Sequence, residues 1–393
     1  MSLKVAIAGG GIGGLAAALA LSRSGHQVEL FEKAATFNEA GAGIQLGPNA
    51  TRLLHAWGLK DALRVRSFSP PRLQVKNAVS SRVLGELTLG SAMAARYGAP
   101  YVTLHRADLH GLLLQAVQQT AAVLHTDSAV QSFLQKAQIV SLQTSHGVQD
   151  TDVLVAADGL WSTSRALLSN DGSPRRTGHL AYRALIPQAA LPERLRSQNV
   201  TAWLGPNMHA VQYPVRGGEW LNLVVFIHGN VPSDFQNWNH SANAADLKGV
   251  LQGSCAALLD LLQAVPDWRL WVMHDRPPMQ GAHQMAQGRV ALLGDAAHPM
   301  RPYLAQGAGM AIEDAAELGL AFKAATLQNV STTLQQYAAN RWQRNARVQA
   351  RALRNGQIFH ATGPVSWARD IAMKLMGERL LDMPWLYGYR LSS

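Results

Sequence analysis

The stretch LKVAIAGGGIGGLAAALALSRSGHQVELFEK, Leu3 to Lys33, leaves a chain few ways to fold. A short apolar run meets five glycines in six positions, then an alanine- and leucine-rich segment, then a second apolar run that ends in Glu32. The pattern predicts strand, tight turn, helix, turn and strand. Gly9, Gly11 and Gly14 fit G-x-G-x-x-G: the first permits the tight turn, the second lets backbone approach a pyrophosphate, and the third lets the helix lie close to the strand. The helix N-terminus then directs unpaired N–H groups and the positive end of its dipole at phosphate. Glu32 stands where an acid accepts hydrogen bonds from ribose hydroxyls. An acid there disfavours a 2′-phosphate, so FAD or NAD is expected in place of NADP. Neither Gly41-Ala42-Gly43 nor Gly307-Ala308-Gly309 completes a second fingerprint, which argues against separate FAD and NAD domains.

The 393 residues allow two or three domains at about 100–200 residues each. With 48% hydrophobic and 15% charged residues the chain has the composition of a globular enzyme. Its single cysteine, Cys255, excludes an internal disulfide or a CxxC pair and fits a reducing, cytoplasmic setting. No apolar run reaches the length of a membrane span, and the glycine-dense N-terminus does not read as a secretion signal, so the protein is expected to be soluble. A net charge of +10 raises the question of nucleic acid, but the charges are scattered. The exception is a stripe of Arg341, Arg344, Arg347, Arg351 and Arg354 on one face of a predicted helix, read as a solvated face.

Two later stretches carry chemistry of their own. In TDVLVAADGLWSTSRALL an apolar strand, Val153 to Ala156, runs into Asp158-Gly159, then Ser162 and Arg165. In RVALLGDAAHPMRPYLAQGAGM another apolar strand ends at Gly294, after which Asp295 presents a carboxylate suited to polyol hydroxyls. Pro299, Pro302 and Gln306-Gly307-Ala308-Gly309 then place irregular backbone ahead of a helix expected to begin near Met310. A helix N-terminus there would hold positive potential and unpaired N–H groups.

Together with the glycine loop, these motifs resemble the single-component flavoprotein aromatic hydroxylases, the para-hydroxybenzoate hydroxylase-like monooxygenases. The likeness runs from Lys4 to about Val348. It implies FAD as cofactor, NAD(P)H and O₂ as co-substrates, and hydroxylation of a small aromatic ring through a flavin C4a-hydroperoxide. It also implies the cofactor-binding set: Gly9, Gly11, Gly14, Glu32, Lys33 and Gly43 on the first segment; Arg106, which resembles a family arginine that opens a helix near the diphosphate; Asp158; and Asp295, Pro299, Gly307, Ala308, Gly309 and Met310 around ribityl and ring. Arg165 is read as either structural or nucleotide-binding. His298 is expected to serve the flavin loop through backbone, not as a catalyst.

Leu180 to Ile227 alternates apolar and polar residues with turn signals, which predicts an antiparallel sheet. Within it His209, Val211 and Tyr213 share one face. On the residues alone, a strand histidine and tyrosine such as His209 and Tyr213 are more often structural than functional. The pattern GPxxHxxxYP, however, resembles the branch containing salicylate hydroxylase, 3-hydroxybenzoate 6-hydroxylase and 6-hydroxynicotinate 3-monooxygenase. That likeness makes His209 the group that deprotonates or orients a substrate hydroxyl and Tyr213 a hydrogen-bond partner of the substrate, with Gln306 and Tyr303 completing the pocket. Gln45 stands where the hydroxynicotinate enzymes carry histidine, which favours a benzenoid acid such as salicylate or 3-hydroxybenzoate.

The expected fold is α/β: a doubly wound, Rossmann-like FAD domain from 1–73, 101–177 and 280–345, an inserted antiparallel substrate sheet from 74–100 and 178–279, and a helical region over 346–393. The remaining histidines look dispersed, without metal-ligand spacing. Asp260, Asp267 and Asp275 read as solvent or turn residues. The C-terminal ERLLDMPWLYGYRL is expected to cap the core, with a homodimer as the other use of its aromatics.

Overall fold

A computed structural model of the chain describes residues 2–38, 41–229, 240–242, 247, 249 and 251–391. Its centre is a six-stranded sheet in the order Ala286–Gln287, Val290–Leu292, Val153–Ala156, Lys4–Ala8, Gln27–Phe31 and Val123–His125. All neighbours pair in parallel except the two-residue edge strand. Alternate side chains decide what covers each face. Val5 and Ile7 pack with the helices Ile12–Arg23, Arg106–Gln118 and Gly307–Phe322. Ala6, Ala8, Phe31, Leu154 and Val290 face a three-stranded meander through its Val140 and Leu142. One face is therefore helical and the other is roofed by strands.

The alanine-rich first helix follows from a close crossing: a methyl group on Gly319 of helix Gly307–Phe322 would stand 2.8 Å from the Ala20 Cβ. Small residues on both helices let helix Gly307–Phe322 lie against the first helix of the chain.

The second sheet has eight strands, ordered His240–Ala242, Trp268–Asp275, Arg175–Pro187, Trp220–His228, Met208–Val215, Val200–Gly205, Arg72–Asn77 and Val83–Thr88. One face buries Leu221, Leu223, Val225 and Trp268 with Leu258, Leu261 and Leu262 of the helix Ala256–Gln263. Its other face turns toward the loop before helix Gly307–Phe322, where Tyr303 packs with Ala181, Val224 and Phe226.

Helix Val330–Phe359 runs thirty residues without a break. The boundary expected after 345 thus falls inside one helix. Leu386 and Tyr387 near the C-terminus are buried with Tyr97 and Tyr101, so those aromatics do cap the core. No helix among the described residues is long and apolar enough to cross a membrane.

Candidate active site

The carboxyl ends of four neighbouring parallel strands carry the motifs singled out in the sequence. Gly9 follows Ala8, Glu32 follows Phe31, Ala157-Asp158 follows Ala156, and Leu293-Gly294-Asp295 follows Leu292. The chain leaves the central strand in one direction along the sheet and returns on its other side, which makes this edge a topological switch point, where α/β folds bind ligands. Gly9 adopts φ +101°, a conformation that favours glycine, and a methyl group on Gly14 would stand 1.9 Å from the Gly9 carbonyl oxygen. Gly11 caps helix Ile12–Arg23 with no side-chain hydrogen bond, leaving the helix's first N–H groups available. The Gly10 N–H donates to Glu32 Oε2 at 2.6 Å, and a methyl on Gly13 would approach Leu293 Cδ2 to 2.9 Å. Segments almost three hundred residues apart are in contact here.

Arg106 opens helix Arg106–Gln118 half-buried, and Asp295 is exposed in the turn Gly294–Ala296. Helix Gly307–Phe322 starts three residues before the expected Met310, after Gln306, and also lacks a side-chain cap. Gly309 and Met310 are buried, Gly307 and Ala308 half-buried.

Register places the substrate-side residues in rows across the second sheet. His209 pairs with Phe226, which pairs with Ala181; Val211 with Val224 and then Arg183; Tyr213 with Asn222 and then Leu185. Since alternate residues share a face, Arg183 stands on the same face as His209 and Tyr213. The Arg183 guanidinium lies 3.9 Å from the Trp271 ring centroid, and its Nε is buried with no hydrogen-bond partner. Burial and, more weakly, the nearby Arg106 charge lower its pKa to about 10. Tyr213 hydrogen-bonds Gln45, whose Oε1 also accepts from the Tyr101 hydroxyl. Burial drives the Tyr213 phenol well above its ordinary pKa.

His209 is 1% exposed, stacked on Phe226 at 4.5 Å and edge-on to Tyr303 at 4.9 Å. Burial, then the neighbouring His360 and His179, hold its pKa well below that of an ordinary imidazole. Its Nδ1 lies 2.6 Å from His360 Nε2, and His360 Nδ1 lies 2.8 Å from Nε2 of the exposed His228. A buried imidazole is thereby linked through a second one to the surface.

Behind the glycine-rich loop lies a charged network. His298 Nε2 contacts Asp314 Oδ2 at 2.5 Å, and Asp314 also receives Arg341 Nε at 2.8 Å, Asn345 Nδ2 at 3.1 Å and the Gly294 N–H at 3.2 Å. Glu313 pairs with Arg341 and Arg344 and accepts from Asn49, which in turn donates to Gln306 Oε1 at 3.0 Å. Burial pushes the Asp314 carboxyl up, but the His298 and Arg341 charges more than offset this and hold it well below the usual carboxylate range.

Residues 2–352 match the FAD binding domain family. The chain is 37% identical to 3-hydroxybenzoate 6-hydroxylase of Polaromonas naphthalenivorans (strain CJ2), covering 100% of this chain and 97% of the relative. The chain belongs to the FAD-dependent aromatic hydroxylases. It is also 32% identical to 6-hydroxynicotinate 3-monooxygenase of Bordetella bronchiseptica over 88% of this chain and 89% of that one. A salicylate hydroxylase solved as a substrate complex superimposes with a TM-score of 0.84 at 27% identity, covering 99% of this chain and 96% of the other.

This hydroxylase therefore binds FAD, and the residues present fit it: uncapped helix N-termini at Gly11 and Gln306, an acid at the end of the second strand, and methyl-intolerant glycines at the sheet edge. Lys33 is exposed beyond Glu32, while Gly43 donates its N–H to Asn222 Oδ1 at 2.6 Å and lies against the Tyr213 ring, where a methyl group on it would stand 2.6 Å from Tyr213 Cε2. Asp158 accepts from Ser162 Oγ and the Ser164 N–H, and so fixes the start of helix Thr163–Ser169. Arg165 is buried and structural, binding Asp171 and the Ala296 and Ala297 carbonyls of the flavin loop. Pro299 is buried and its carbonyl accepts from Gln349 Nε2. His298 is committed to Asp314.

Three expectations are corrected. The arginine stripe is a solvated face only in part: Arg341 is fully buried and Arg344 pairs with Glu313 and covers the Tyr389 ring at 3.8 Å, whereas Arg347, over Trp385 at 4.1 Å, and Arg354 are exposed. Asp275 is no solvent residue but 1% exposed, paired with Arg175 at 2.6 Å and Arg301 at 2.7 Å. The histidines are not dispersed, because His179, His209, His228 and His360 meet. Sequence reasoning passed over Arg183, His360 and the pair Glu313-Asp314. Two adjacent acids inside the apolar run AIEDAAELGLAF were the one available signal.

Proposed function

We propose that this hydroxylase acts on a phenol that also carries a carboxylate, of the 3-hydroxybenzoate or salicylate class, with NAD(P)H as reductant and O₂ as oxidant. The observation that carries the substrate class is Arg183: a half-buried arginine whose buried Nε has no hydrogen-bond partner, on the face that presents His209 and Tyr213. An unsatisfied buried donor is costly, and a carboxylate is the partner that a planar guanidinium holds best. The names of several relatives agree: three of them are 3-hydroxybenzoate 6-hydroxylases at 35–37% identity.

When bound, FAD supplies the activated oxygen that attacks the ring; the chain's residues prepare the ring for it. His209 is kept neutral by burial, so it is ready to take the phenol proton, and a phenolate is the better nucleophile. With its Nδ1 engaged by His360, Nε2 is the atom that faces the substrate. The proton passes from His209 through His360 to the exposed His228. Tyr213 and Gln306 orient the ring, and Phe226, Val224 and Tyr303 keep water away. The one cysteine is free, which suits a reducing cytoplasm.

The test is a screen of purified, FAD-loaded protein against hydroxybenzoates, hydroxypyridines, quinolones and neutral phenols, reading NADH oxidation and incorporation of labelled O₂ into product. Hydroxybenzoates should stimulate both. A neutral phenol or quinolone that outperforms every acid sinks the assignment of the substrate class.

A further inference from the structure

His179 and His228 are cross-strand partners at one end of the second sheet, with ring centroids 4.4 Å apart. His360, the residue that ends helix Val330–Phe359, brings a third ring to within 4.9 Å of each. One nitrogen from each of the three rings lies within 4.8 Å of the other two. The remaining nitrogens are held from outside: His179 Nδ1 by the Tyr303 hydroxyl at 2.5 Å, and His360 Nε2 by His209 at 2.6 Å. Metal-binding imidazoles show the same division, one nitrogen on the ion and the other fixed by a hydrogen bond that sets the ring's tautomer and direction.

We propose that His179, His228 and His360 form a binding site for a borderline divalent transition ion such as Zn²⁺, open to solvent beside His228 and lying directly behind the His209 pocket. Three imidazoles without a carboxylate select this class of ion over Mg²⁺ or Ca²⁺, which need oxygen ligands. With His179 Nδ1 and His360 Nε2 engaged, the nitrogens left for an ion are His179 Nε2, His360 Nδ1 and His228 Nε2, the last two 2.8 Å apart. Zn–N bonds of about 2.0–2.1 Å in a tetrahedron separate ligand nitrogens by roughly 3.3 Å, so seating an ion takes small ring rotations. A water completes the fourth position.

The surrounding charges permit it. Burial holds His179 at about 4 and His360 at about 3, so the ligands are unprotonated at neutral pH. Arg301 faces all three rings, but Asp275 accepts from its Nε at 2.7 Å and offsets its charge. An ion here would take the nitrogens through which His360 and His228 share a proton and so close the proton exit from His209. The site rests on geometry; only this consequence for turnover rests on the reading of His209 as proton acceptor.

Equilibrium dialysis of the FAD-loaded enzyme against ZnCl₂, with metal analysis, reads the site without reference to activity. Wild type should take up one Zn²⁺ per chain at micromolar concentrations. His228→Ala removes an exposed side chain, so the fold should survive, as retained flavin will report. Its affinity should drop by more than the roughly 10–100-fold that loss of an outer-shell partner costs, and Tyr303→Phe should fall within that smaller range. Equal uptake by wild type and His228→Ala, or no uptake by wild type at about 100 μM Zn²⁺, overturns the proposal.

Discussion

In the proposed reaction a neutral imidazole in an apolar wall takes the phenol proton, and the Arg183 guanidinium on the same sheet face holds the carboxylate. His209 should act as base far into the acid range, because burial keeps it unprotonated where a free histidine would already carry its proton. The acid limb of kcat/KM is therefore expected below pH 6.5, and His209→Gln should lower kcat by about 10²–10⁴ while FAD stays bound. A limb at pH 6.5 in wild type, or an undiminished kcat in the variant, would remove His209 from that role. Arg183→Gln should act on binding instead. Loss of a hydrogen bond to a charged partner is worth about 1.5–3 kcal/mol, or roughly 10–150-fold, so KM for an aromatic acid should rise by that factor while kcat changes little. Steady-state kinetics on an acid and on its neutral amide separate the two outcomes, since the amide should not sense the substitution.

At the scale of elements, helix Gly307–Phe322 is pinned by charge to helix Val330–Phe359. Arg341, Glu313 and Asp314 are fully buried, and removing one member strands the others in a medium that cannot solvate them. Arg341→Ala is expected to cost about 3–5 kcal/mol, read from the midpoint of urea unfolding, and to loosen FAD because Asp314 also anchors the Gly294 N–H at the turn that precedes the flavin loop. These elements also show how much of the molecule was readable in advance. The glycine loop, the two later strand–turn motifs and the antiparallel sheet were legible because each depends on local spacing: a tight turn needs glycine and a strand needs alternation. The direction of the arginine stripe was not. Spacing of three and four fixes one helical face but not what that face meets, and its partners Glu313 and Asp314 lie on another helix. Asp275 failed for the same reason, being neutralised by Arg175 and Arg301 from two distant segments.

At the scale of the whole molecule, the sheet of parallel strands gathers the residues proposed to hold FAD, the eight-stranded sheet, antiparallel except where Val200–Gly205 meets Arg72–Asn77, gathers those proposed to hold the substrate, and the loop through Tyr303 packs on the latter. The cluster of histidines arises only at this scale, because His179, His228 and His360 come from two strands and a helix end that sequence spacing cannot relate. It gives the fold a pH dependence of definite sign. His179 at about 4 and His360 at about 3 titrate below an unfolded histidine near 6.5, and His209 is lowered with them. Below pH 6.5 the unfolded chain binds protons that the native chain refuses, so stability is fully present above that pH and is lost as pH falls toward 4. At pH 5 His360 alone accounts for at most about 2 kcal/mol of this loss, the 1.5 units between 5 and 6.5 taken at about 1.4 kcal/mol each. Thermal unfolding from pH 7.5 to 5 should show Tm falling, and falling less steeply in His360→Gln, which has no proton to take up in either state. Parallel Tm profiles for the two proteins would mean that the buried histidines do not set the acid sensitivity of the fold.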